Sequence, residues 1–150
     1  MSTSRLFLWL AWAAALALVA LEVAVPTLLP RGFRPWDDAE TAVGGFVAAI
    51  FAFTAGVWSF ALRESFALRD IREGAIDPTT PAGVARLRVM LVALWGLCLL
   101  VGAFGATLAW AASRPRAAWP YAAGAAALLV VHTPRRWLFR APEAPQPARP

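Results

Sequence analysis

At 150 residues the chain has the length of one domain, and 60% of it is hydrophobic, with a mean hydropathy of +0.60. A soluble domain of this size has too little interior for that much apolar surface, so a lipid bilayer is the expected solvent. The net charge of +5 comes from 14 arginines, with no lysine, against nine acidic residues; no basic run is interleaved with aromatics, so headgroups are the expected partners and nucleic acid is not. The single cysteine, Cys98, excludes an intramolecular disulfide, a CxxC pair and a cysteine-based zinc site; the single histidine, His132, excludes bis-histidine haem ligation and HExxH chemistry within one chain. No cofactor and no metal is expected.

A helix needs about 20 mainly apolar residues to cross roughly 30 Å of hydrocarbon. The first stretch that qualifies is 6–29, too long for a signal-peptide core and without a small-residue cleavage site, so it reads as a retained span. The second is 41–62, preceded by Asp37-Asp38-Ala39-Glu40, which has the form of a capping box with Asp37 as N-cap and Glu40 at N3. The third is 89–112, in a helix opened by Thr80-Pro81 as hydroxyl cap and proline at N1. The fourth, 117–133, is the shortest, with Pro120 in its first turn where a missing N–H costs little. Beyond Arg140 the tail APEAPQPARP is proline-rich and cannot form a core. The expected fold is all-α: an integral membrane four-helix bundle over residues 1–140, up-down-up-down, with a disordered tail at 141–150.

Arginine placement sets the orientation. An even number of spans puts Arg5, Arg63, Arg69, Arg72, Arg86, Arg88, Arg135, Arg136, Arg140 and Arg149 on one side and Arg31, Arg34, Arg114 and Arg116 on the other. That imbalance favours an inner membrane with both termini in the cytoplasm. Trp9, Trp12, Trp58 and Trp137 then fall near the inner interface and Trp36, Trp110, Trp119 and Tyr121 near the outer one, with only Trp95 deep.

The phrase SFALR occurs twice within residues 59–70. Copies six residues apart are separated by 240° around an α-helix, so they share no face, and two copies fall short of a repeat architecture. The sequence predicts instead a helix that continues past the membrane until Gly74, a residue suited to a left-handed cap. Helices 2 and 3 would extend into the cytoplasm as an antiparallel hairpin turning between Gly74 and Thr80, with Glu64 at the depth of Arg88 and Arg86 in reach.

Glu22 is the one acidic residue inside a span. Ionisable groups at such depth are costly and are functional candidates by default. It is expected to face the bundle interior, with Thr41, Thr107 and Tyr121 at similar depth and Arg114 able to reach down, while His132 lies near the opposite face. Asp37, Asp38 and Glu40 could hold a divalent cation, but helix capping explains them more cheaply. No nucleophile–base pair, phosphate loop or metal cluster is recognisable in the sequence. The leading expectation is a small multi-pass membrane protein serving as a non-catalytic accessory or scaffold subunit, with a membrane-protein partner or as a homo-oligomer. The second is a small proton-coupled transporter working as an oligomer through Glu22.

Overall fold

The computed structural model describes residues 3–29, 34–77 and 80–134, and every regular element among them is helical. The proline-rich tail and the arginines from Arg135 onward lie outside the described residues. Helix α1 runs over Thr3–Leu28, α2 over Asp38–Leu62, α4 over Pro81–Ala111 and α5 over Trp119–Val131; a short α3, Arg69–Arg72, continues α2, and a 3₁₀ turn, Pro115–Ala118, leads into α5. Three stretches are long and apolar enough to cross a membrane: Leu6–Leu28, Asp38–Arg72 and Pro81–Ala111. The fourth expected span is shorter than anticipated, because α5 has 13 residues, about 20 Å of helix.

The helix starts follow the local chemistry. Asp37 caps α2 by accepting from the Glu40 N–H at 2.8 Å, and the Glu40 carboxylate accepts from the Asp37 N–H at 2.9 Å, so the reciprocal box is complete. Thr80 caps α4 by accepting from the Gly83 N–H at 3.1 Å, with Pro81 in the first turn.

The α2 extension differs from a plain helix. Residues Arg63–Leu68 form a π segment, spanning the boundary between the two SFALR copies. The core stripe of α2 runs through Ala48, Ala55 and Ser59, and simple α periodicity would continue it at 62, 66 and 70. The residues that turn inward are Leu68, which is buried, and Ile71, which packs against the core. The wider π turn takes up the phase difference, and beyond it Ile76 is buried. The helix then ends as expected: Gly74 has φ +75°, with its N–H donating to Ile71 O at 3.2 Å and that of Ile76 to Asp70 O at 3.1 Å.

Helix α4 is the hub, and α1, α2 and α5 all pack on it. Contacts at both ends fix the neighbours. The Trp36 N–H, just before α2, donates to Ala111 O at the end of α4 at 3.0 Å, and Asp38 pairs with Arg114. At the far end Asp70 meets Arg86 at 3.3 Å, so α2 with its extension lies antiparallel to α4. The hairpin pairing is therefore Asp70–Arg86, together with Arg69–Glu73 along the arm at 2.9 Å. Glu64, expected at the depth of Arg88, is exposed. The Arg88 guanidinium instead lies 5.6 Å from the centre of the Phe7 ring.

Candidate functional site

Two polar sites sit among the packed helices. The first lies where α5 ends. A helix leaves its last four carbonyls without intrahelical partners, and in apolar surroundings each must be satisfied by the protein. Leu128 O and Val130 O accept the N–H groups of His132 and Thr133 at 2.9 and 3.3 Å. Leu129 O accepts the indole N–H of Trp12 from α1 at 2.8 Å, and His132 O accepts that of Trp95 from α4 at 3.0 Å. Two tryptophans from two helices thus cap the third.

The His132 ring completes this latch. Its Nε2 lies 3.1 Å from Ser59 Oγ of α2, and its plane is tilted against the Phe60 ring at 5.0 Å. Ser59 is 0% exposed and His132 3%. Ser59 has one hydroxyl proton and donates it to Gly56 O at 2.7 Å, so the bond to the imidazole runs the other way: Nε2–H donates to Ser59 Oγ. That fixes the tautomer and leaves Nδ1, which has no hydrogen-bond partner, as a lone-pair acceptor. The arrangement superficially matches a nucleophile and its base, but Nε2 already carries a proton and cannot accept one from Ser59, and the pair is sealed from any substrate.

On sequence alone His132 is an interfacial residue without a partner, and Ser59 carries no signal. Nothing in the local sequence signals the pairing, which joins residues 73 apart. By sequence Trp12 falls near the inner interface and Trp95 sits deep; the structure shows both held by their N–H groups.

The second site surrounds Glu22. On α1 its carboxylate is laid against the backbone of Gly102 on α4, so closely that a methyl group at 102 would collide with Oε2. Glu22 lines a groove of about 360 Å³ with Val25, Leu29, Ala103, Ala106, Thr107 and Trp110. Oε2 is buried there and has no hydrogen-bond partner. Of the expected neighbours, only Thr107 shares this groove, and its hydroxyl donates to Ala103 O within its own helix at 2.9 Å. Arg114 does not reach down, because it is held by Asp38. Tyr121 packs over Gly105 and donates to Gly45 O at 3.2 Å. Thr41 sits in the first turn of α2 with its hydroxyl buried and unpaired. Glu22 is thus laid against α4, and of its four expected polar neighbours Thr107 alone lines the same groove.

The outer acidic residues are likewise accounted for within the chain. Asp37 and Glu40 form the capping box, Glu40 also pairs with Arg34 at 2.9 Å, and Asp38 pairs with Arg114. No group of three metal-ligating side chains occurs among the described residues. Compared with known proteins, this chain matches no family model, no curated protein and no solved structure.

Proposed function

We propose that this protein is a multi-pass component of a bacterial inner membrane, crossing up-down-up-down with both termini in the cytoplasm, and that it serves as a non-catalytic accessory or scaffold subunit. The observation that carries this reading is the sealed latch at the end of α5. The one hydroxyl–imidazole pair among the described residues is fully buried, has its proton on the wrong atom for base catalysis, and ties α2 to α5. The outer ion pairs and the Tyr121–Gly45 bond also tie helix to helix. Polar chemistry here is spent on assembly.

Glu22 favours one further reading, a small proton-coupled transporter acting as an oligomer. Its Oε2 is buried without a hydrogen-bond partner beside an open groove, and an intramembrane carboxylate in that state is a candidate ion or proton site. Purified protein in liposomes separates the two readings. The scaffold reading expects no proton or solute flux that depends on Glu22, and co-purification of a membrane protein in fixed stoichiometry or self-association in its absence. Flux abolished by Glu22→Gln would overturn it in favour of transport.

A further inference from the structure

The arginines among the described residues divide into two kinds. Arg34, Arg69, Arg86 and Arg114 are exposed, and each is neutralised by an acid of this chain; Arg72 and Arg116 are exposed and served by water. Arg63 and Arg88 differ from both. They are partly buried, and neither has an acidic partner among the described residues. Glu64, next to Arg63 in sequence, is exposed and pairs with neither. Arg88 Nε is covered by protein and donates to nothing, and the Phe7 ring of α1 lies against the guanidinium at 5.6 Å. The stem of Arg88 is thus held in place, while its terminal nitrogens are neither bonded nor sealed.

Both arginines lie beyond the end of α5. Arg63 follows Ser59 by one turn on α2, and Ser59 meets the His132 ring. Arg88 precedes Trp95 by two turns on α4, and Trp95 caps His132 O. Since α5 stops at Val131, α2 and α4 continue past the latch without it, and the π segment that opens at Arg63 packs on α4. The helical rise puts the two residues about 6 and 10 Å beyond the latch, a difference that arginine side chains span.

We propose that Arg63 and Arg88 together hold the phosphate of an anionic phospholipid at this end of the bundle. The inference goes beyond the scaffold reading and rests on the membrane placement it contains. Three features select the ligand. Two guanidinium groups partly withdrawn from water, with no acid supplied by the chain, call for an anion. The free N–H fork of an arginine matches the paired non-bridging oxygens of a phosphodiester. The site is at headgroup level, marked at this end by the exposed indoles of Trp9 and Trp58, where lipid phosphate is always at hand and an acidic protein is not. A zwitterionic lipid brings its own ammonium to compete for the same oxygens, so an anionic headgroup is preferred.

The test is native mass spectrometry of the full chain extracted from its membrane in mild detergent, followed by titration with phosphatidylglycerol, with phosphatidylcholine of the same acyl chains, and with inorganic phosphate. The extracted chain should carry one phospholipid, and phosphatidylglycerol should bind several-fold more tightly than phosphatidylcholine. Arg63→Gln and Arg88→Gln should each remove most of that preference. Arg88→Lys, which keeps the charge and loses the fork, should retain part of it, and Arg72→Gln should leave it unchanged. Circular dichroism of each variant separates loss of the lipid from loss of fold. The proposal is overturned if the two lipids bind equally, if Arg72→Gln costs as much as the other two glutamine variants, if inorganic phosphate binds as tightly as the lipid, which makes the ligand a soluble phosphate, or if the bound mass that depends on Arg63 and Arg88 is a protein. Carbonate extraction is run first: a chain released by it fails the membrane reading, whereas one retained without a lipid preference fails this site alone.

Discussion

Ser59 has one proton and two neighbours that want it, and the backbone wins: Gly56 O takes it at 2.7 Å, leaving Oγ to accept from His132 at 3.1 Å. Replacing Ser59 with Ala leaves the imidazole N–H buried and unpaired, which costs about 1 kcal/mol; thermal unfolding in detergent should show a lower midpoint with an unchanged helical spectrum. Glu22 invites a second measurement at this scale. A methyl group at 102 collides with its carboxylate, so Gly102→Ala should destabilise the fold by about 1–3 kcal/mol, and Glu22→Ala added to it should restore most of the loss. A double-mutant cycle with no coupling would show that the two do not touch. Glu22 was legible from its charge alone, because a carboxylate in an apolar run stands out by residue type. Its neighbours were not, since depth along a helix is readable from residue count while rotation about it depends on which helix packs where. The Ser59–His132 pair was hidden for the same reason, and polar residues of ordinary type leave no periodic trace.

The helices themselves were read closely where termini carry chemistry. The capping box at Asp37 and Glu40, the Thr80-Pro81 start and the Gly74 stop are all written in residue types with one preferred conformation. Thr80→Ala should cost about 1 kcal/mol and fray the first turn of α4, seen as faster amide exchange near Gly83. A larger effect is expected at Gly105, where a Cβ would run into the Tyr121 side chain: Gly105→Ala should separate α4 from α5 and weaken the fold by about 1–3 kcal/mol. The π segment at Arg63–Leu68 was not legible. Its sequence suits an α-helix equally well, and only the demand that Leu68 and Ile71 face the core selects the wider turn. The shortness of α5 was half visible: the apolar run at 117–133 is brief, but its first residues form the 3₁₀ turn Pro115–Ala118, which takes them out of the helix.

For the molecule as a whole, composition announced an all-helical chain with membrane-length helices, and that much the architecture bears out. It could not announce a hub, because burial of α4 depends on three helices choosing the same neighbour. The proposed orientation is checked with topology reporters. A phosphatase fusion after Ser113 should be active outside the cytoplasm, and one inserted at residues 78–79 should be silent, with a cytoplasmic reporter giving the opposite pattern; the reverse result would invert the molecule. In that orientation the tryptophan caps on α5 carry a consequence for biosynthesis. Chain order makes α5 the last of these helices to leave the ribosome, and its 13 residues are too few to cross a bilayer by partitioning alone. Its acceptors wait for two indoles supplied by helices already delivered, Trp12 and Trp95. Entry of the final segment is then a docking event onto a finished cradle, timed by translation, and a nascent chain stalled before Trp119 holds both indoles without their carbonyls.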